Sequence, residues 1–229
     1  RAKQIQEGTE KRVPEEGEKQ TPEDGKKQAS EGEAPQRDGQ EEEPILVYAC
    51  RLDGTSYTQG RPLAPGEMPA PEETVLFFYA RHPEGNDNYN GYTYLDTMNR
   101  EAVQAYIRST HEAYKDACGS RFGKSIKGIF TDEPHRGGLL THFSEGEEWA
   151  VPYTPTLLEQ FEERFGYDLR ERLPELFLRK DGQELSKTTW DYIELCQELF
   201  LENFAKPIYQ WCEENGLEFT GHVLHEDNL

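Results

Sequence analysis

The chain has 229 residues, enough for one or two domains, and 45 acidic against 25 basic residues give it a formal net charge of −20. Such a charge repels nucleic-acid backbones and anionic membrane surfaces, which excludes both as expected partners and leaves neutral ligands such as sugars open. The mean hydropathy of −0.93 averages two unlike regions.

Residues 1–44 hold eight basic and thirteen acidic residues, and their only hydrophobic side chains are Ala2, Ile5, Val13, Ala29 and Ala34. Nothing there offsets the entropy of ordering a fold, so this stretch reads as a disordered acidic segment ahead of a folded part over 45–229. Within the folded part, Ile45 to Arg51 and Val75 to Ala80 read as strands, with Gly- and Pro-rich loop between them. Tyr92 to Leu95 reads as a short strand. A helix then starts at the N-cap Asn99, with Val103, Tyr106, Ile107, Thr110, Tyr114 and Ala117 on one apolar stripe, and stops near Gly119. Ser125 to Thr131 is the next strand. Thr154-Pro155 has the N-cap and N1 residues of a second helix, buried through Leu158, Phe161 and Phe165 and closed by Gly166. A longer helical region from Ser186 to Asn215 has Trp190, Ile193, Leu199, Phe200, Phe204, Ile208 and Trp211 on its apolar face, with a kink expected at Pro207. Leu217 to Leu224 is the last strand.

From residue 92 onward the order strand, helix, strand, helices, strand argues for parallel βαβ units, hence an α/β fold. The expected architecture is a partial (β/α)₈ TIM-type barrel, whose active sites lie at the carboxyl ends of the strands. An open doubly wound sheet is the rival, weakened by the lack of a G-x-G-x-x-G or phosphate-loop motif. A whole barrel takes about 250 residues, so 45–229 supplies only some of its units.

Cys50, Cys118, Cys196 and Cys212 form no C-x-x-C pair, so zinc-ribbon and thioredoxin readings fail and free thiols in a reducing compartment are expected. No apolar run is long enough to span a membrane, and residues 1–20 lack the apolar core of a signal peptide. A cytoplasmic location is therefore expected. The sequence has no initiator Met, and it reads as a fragment.

Chemistry concentrates at two strand ends. In the first, the hydrophobic run from Gly128 leads into Asp132, Glu133 and Pro134, and the proline is expected to hold Glu133 extended at the mouth of a site. Alternation then sends Asp132 and Glu133 to opposite faces unless the backbone bends. In the second, Gly221-His-Val-Leu-His-Glu-Asp227, His222 and Glu226 share parity. His111-Glu112 lacks the second histidine of H-E-x-x-H, since residue 115 is lysine. His111 is expected at the edge of the buried stripe and Glu112 in solvent. Tyr89, Asn90, Tyr92, His135, Trp149 and Tyr153 offer aromatic faces and polar groups suited to a sugar ring. Paired carboxylates are what glycosidic hydrolysis uses: one protonates the leaving oxygen, and the other attacks the anomeric carbon or activates water.

The runs NGYTYLDTMNREAV from Asn90, STHEAY, GIFTDEPHRG and FTGHVLHEDNL resemble bacterial glycoside hydrolase-like barrel proteins related to the α-L-rhamnosidase and β-galactosidase-type families. That resemblance implies an acid/base glutamate at the end of the fourth strand in an Asn-Glu-Pro setting. Glu133 and Pro134 match it, while Asp132 stands where Asn is usual. It also implies a nucleophile from a seventh strand that this chain does not contain, unless Glu226 or Asp227 takes that part. The expected enzyme is therefore a glycosidase, incomplete in this chain, with Glu133 and Glu226 as its carboxylates. Asn90, Asp96, Asp132, His135, Trp149, Tyr153, His222 and Asp227 are its expected sugar contacts. No cofactor or metal is expected, the partner is a carbohydrate, and the oligomeric state is left open. Two rival readings stand beside it: a catalytically silent carbohydrate-binding barrel remnant, and a metal-dependent hydrolase using Asp132, His135 and His222.

Overall fold

A computed structural model of the chain describes residues 43–83, 85, 87–137 and 150–223. The segment expected to be disordered lies outside them apart from its last two residues. Among the described residues six strands and five α-helices occur in chain order: β1 (Leu46–Asp53), β2 (Ser56–Pro62), β3 (Thr74–Phe78), α1 (Arg100–Tyr106), α2 (Glu112–Cys118), β4 (Gly128–Asp132), α3 (Leu157–Phe165), β5 (Arg179–Lys180), α4 (Lys187–Phe200), α5 (Lys206–Glu214) and β6 (Glu218–His222).

The strands form two sheets. One has the order β3-β1-β2-β5 and is antiparallel except at its β2–β5 edge. The stretch expected to be loop after β1 therefore holds a strand, β2, which pairs back on β1 across the turn at Gly54. Gly60 makes that pairing possible, because a Cβ there would lie 2.3 Å from the Tyr48 ring. Opposite Cys50, β2 bulges at Gln59-Gly60, with Gln59 at φ 50°. Tyr48, Cys50, Tyr57 and Leu178 form a small core on this sheet.

The second sheet is the parallel pair β4–β6, in register from Gly128↔Glu218 to Asp132↔His222. The chain between them carries α3, α4 and α5, so β4–β6 is a βαβ unit of the expected kind. The structure is thus mixed α/β with small sheets, and the first sheet departs from a purely parallel plan. Residues 92–95 are not a strand: they run beside the turn after β4 without joining a ladder.

Two cores are strung along one helical rod. Tyr192, Leu195, Cys196 and Leu199 of α4 pack with Leu157, Leu158 and Phe161 of α3, with Met98, and with Leu169, Leu173 and Leu176. Further along, Phe200, Phe204, Ile208, Trp211 and Cys212 pack with Val103, Ile107, Leu217 and the partly buried Ile129 and Phe219. Ser186 caps the rod, its hydroxyl accepting from the Thr189 amide. The second helix starts at Leu157, two residues after Pro155, with Thr154 accepting the Leu157 amide through its carbonyl. Gly166 ends it at φ 77°.

Two π turns, Ile107–His111 and Leu201–Ala205, interrupt the helices. Each inserts one residue and rotates the succeeding helical turns by about 100°. After the first, His111 takes the buried position (1% exposed) and Tyr114 turns outward. The expected stripe through Thr110 and Tyr114 assumed an unbroken helix. The second absorbs the kink expected at Pro207, with the Lys206 amide donating to the Leu201 carbonyl. Trp190, expected on the apolar face, is 58% exposed, because α4 buries the neighbouring face through Thr189 and Tyr192.

His111 packs edge-on against Tyr106 and Trp211, and both ring nitrogens lack a hydrogen-bond partner. Glu112, expected in solvent, accepts from Trp211 Nε1 at 2.5 Å. Burial pushes the His111 pKa below its ordinary value, against the opposing pull of the Glu112 charge. The folded state thus favours neutral His111. Its contribution is full above the unfolded value of about 6.5 and is lost as pH falls from there toward the folded value. Thermal melts at pH 7.5 and 5.5 should show a larger loss in the parent chain than in His111→Leu. Equal losses would mean that the histidine is already partnered.

All four cysteines are free, and Cys50, Cys196 and Cys212 are buried. Among the described residues no helix is long and apolar enough to cross a membrane.

Candidate functional site

Alternation along β4 and β6 sends Ile129 and Phe219 toward the helices, where they join the second core. It sends Phe130, Asp132, Thr220 and His222 to the opposite, open face. Phe130 stands edge-on to the His222 ring at 5.6 Å, and His222 Nε2 lies 3.4 Å from Asp132 Oδ1. Asp132 is 79% exposed. The strands can lie this close because Gly221, at φ 147°, has no side chain: a Cβ there would sit 2.1 Å from the Thr131 carbonyl oxygen.

Glu133 departs from the expected extended geometry. Its amide continues the ladder, donating to the His222 carbonyl at 3.1 Å, but its φ is 48°. A following proline pushes a residue toward extended geometry, so the left-handed bend runs against that preference, and Pro134 just beyond it is buried. For a residue with a Cβ this conformation costs about 1 kcal/mol and is the kind of local strain found at functional sites. It is also the backbone bend needed to break strict alternation between Asp132 and Glu133.

The turn after Glu133 is held from one side. His135 stacks on Tyr94 with ring centroids 4.1 Å apart and planes at 10°, and Tyr89 packs against Tyr94 in turn. The Gly137 amide donates to His135 Nδ1 at 3.2 Å. Burial raises the Tyr94 pKa, partly offset by the bond to the His135 backbone. Asn90 follows Tyr89 at φ 54°, a left-handed position that asparagine tolerates. Gly137 packs on Pro152, the residue before Tyr153, and a Cβ at 137 would lie 2.9 Å from Pro152 Cγ.

Asp132, Glu133 and His222 therefore lie together at one end of the β4–β6 pair, and His135 follows on the turn held by Tyr94. Asp96 Oδ1 accepts the Met98 amide and shapes the entry to α1. Trp149, Glu226 and Asp227 lie outside the described residues. No three His, Cys, Asp or Glu side chains among the described residues converge as a metal site.

Arg136 was not singled out by the sequence. Its guanidinium carbon sits 5.7 Å from the centre of the Phe200 ring, and its Nε is buried without a hydrogen-bond partner. Burial lowers its pKa, with Cys196 and Tyr192 pulling weakly the other way. Only tertiary packing reveals this: a D-E-P-H-R string contains no sign that the arginine turns inward.

The site is thus a parallel strand pair backed by helices, with Asp132, Glu133 and His222 at its carboxyl end. The chain belongs to glycoside hydrolase family 106, described as alpha-L-rhamnosidase, whose family model matches residues 80–227, well over half of its length. It is therefore a glycoside hydrolase-like protein. Among solved structures it is similar to a rhamnosidase from Novosphingobium sp. PP1Y, at 21% identity and a TM-score of 0.41, over 69% of this chain. The chain spans 13% of that protein. No curated protein matches the sequence.

Proposed function

We propose that the chain is part of the catalytic barrel of a glycosidase, with Glu133 as general acid/base. The observation that carries this reading is the strained bend at Glu133, placed directly after Asp132 and beside His222 at the carboxyl ends of two paired parallel strands. The open face of β4–β6 is then the inward face of a (β/α)₈ barrel. Asp132 and His222 face the sugar across the strand ends, with Asn90, His135 and Tyr153 around them, and Asp96 sets the turn behind. Trp149 and Asp227 are proposed as further sugar contacts. Glu226 is the proposed second carboxylate, unless a later strand supplies it. A protonated Glu133 gives its proton to the glycosidic oxygen as the bond to the anomeric carbon breaks, while the second carboxylate attacks that carbon or activates the water that does. The family description makes α-L-rhamnosides the first substrates to test.

The test is hydrolysis of a panel of aryl and alkyl glycosides, α-L-rhamnosides among them. It uses this chain, a form extended past Leu229, and the extended form carrying Glu133→Gln. An activated aryl leaving group departs with little proton donation, so the alkyl glycosides decide. On them Glu133→Gln should lower kcat by about 10²–10⁴-fold, the usual worth of a positioned acid/base. Undiminished turnover of both substrate types would remove Glu133 from the mechanism. Folded but inactive proteins that still bind sugar would favour a silent binding domain.

A further inference from the structure

We propose that Thr97 and Tyr94 are positioning residues for Glu133, an inference that rests on the acid/base reading above. A left-handed glutamate relaxes unless the chain is fixed on both sides of it. On the strand side, the fixing bond is its own amide to the His222 carbonyl. On the far side, both backbone polar groups of His135 are held by the segment before α1. The His135 amide donates to the Tyr94 hydroxyl at 3.3 Å, and the Thr97 hydroxyl donates to the His135 carbonyl at 2.9 Å. The stacked rings of Tyr94 and His135 close the clamp.

The holding segment is itself rigid. Asp96 Oδ1 accepts the Met98 amide, and the Asn99 amide donates to the Asp96 carbonyl. Asn99 then caps α1 by accepting the Glu101 and Ala102 amides. Met98 is buried in the first core, and its carbonyl accepts from Asn203 Nδ2 at 2.6 Å. Asn203 lies in the second π turn, where the widened helix presents it to Met98. A line of bonds thus runs from the helical rod through Met98 and Thr97 to His135, two residues from Glu133. Thr97 is 2% exposed, so water cannot take over its bond without opening the turn. An acid/base group must be held within hydrogen-bond reach of the atom it serves, and a displacement of about 1 Å can cost 10²-fold in rate.

Thr97→Val and Thr97→Ser separate positioning from packing, because valine keeps the volume and loses the hydroxyl, while serine does the reverse. Amide exchange followed by NMR in the 229-residue chain should speed up about tenfold at Glu133 in Thr97→Val, the scale of one lost buried hydrogen bond, and stay near the parent rate in Thr97→Ser. Tyr94→Phe should act in the same direction as the valine variant. Near-UV circular dichroism shows whether each variant keeps its tertiary packing. In the form used for catalysis, Thr97→Val should lower kcat on an alkyl glycoside with little change in KM, and Thr97→Ser should restore it. Unchanged exchange at Glu133 in both Thr97→Val and Tyr94→Phe would overturn the proposal. So would the opposite order, with serine worse than valine, or an unchanged kcat in Thr97→Val where Glu133→Gln does slow turnover. Faster exchange in Thr97→Val together with full activity of Glu133→Gln would instead sink the acid/base reading and leave the clamp as a structural one.

Discussion

Gly221→Ala should separate β4 from β6 and destabilise the chain by about 3 kcal/mol or more. Two costs coincide at this position. The backbone lies at φ 147°, a conformation essentially confined to glycine, and the new methyl would meet the Thr131 carbonyl at 2.1 Å and the Thr131 hydroxyl at 2.8 Å. The first obstacle is backbone and cannot rotate away. The strand pair must therefore part, and the Asp132–His222 contact and the Glu133 amide bond one step beyond it go too. Urea denaturation checks the stability, and loss of the Glu133–His222 cross-strand signals in NMR checks the cause. Gly66→Ala is the control, since Gly66 also has a positive φ but nothing lies within 4 Å of its Cβ position. It should cost only about 1 kcal/mol, from backbone strain alone. Equal effects at the two positions would mean that the strands tolerate a wider spacing than the structure shows.

Phe161→Ala should cost about 3–5 kcal/mol, the range for emptying a large aromatic from a closed core. Phe161 is fully buried between α3 and α4, with Phe165 at 4.8 Å and Tyr167 at 5.1 Å between ring centroids. The same cluster contains Met98, so a cavity here should also loosen the turn that holds Thr97. Phe165→Ala, at a partly buried position, should cost distinctly less. A loss under about 1.5 kcal/mol for Phe161→Ala in urea titrations would show that α3 collapses onto α4 and fills the space.

Much of the local structure was legible in the sequence because it depends on near neighbours. Asn99 is a helix cap through its own side chain, and Gly166 ends α3 because glycine adopts a left-handed φ freely. β1, β3, β4 and β6 stand out as hydrophobic runs between turn residues. The D-E-P string could be placed at a strand end, and the family resemblance pointed to a glycosidase before any geometry was known. β2 escaped notice because Ser56–Pro62 is polar. It becomes a strand only by pairing with β1 and by letting the Tyr48 ring lie over Gly60.

What the sequence alone determined was the class of element along most of the chain, the strand-end carboxylates, and the likeness to glycoside hydrolases. These rest on periodicity, capping and short motifs, all local in range. The tertiary structure decided the rest. It set the pairing of β4 with β6, the inward turn of Arg136, and the burial of His111 after a π turn. It also set the left-handed Glu133, which contradicts the extended geometry expected before a proline. Each of these is a compromise between distant segments: a hydrogen bond to His222, a ring stacked on Tyr94, a hydroxyl from Thr97. A local preference worth about 1 kcal/mol yields when several such contacts oppose it together.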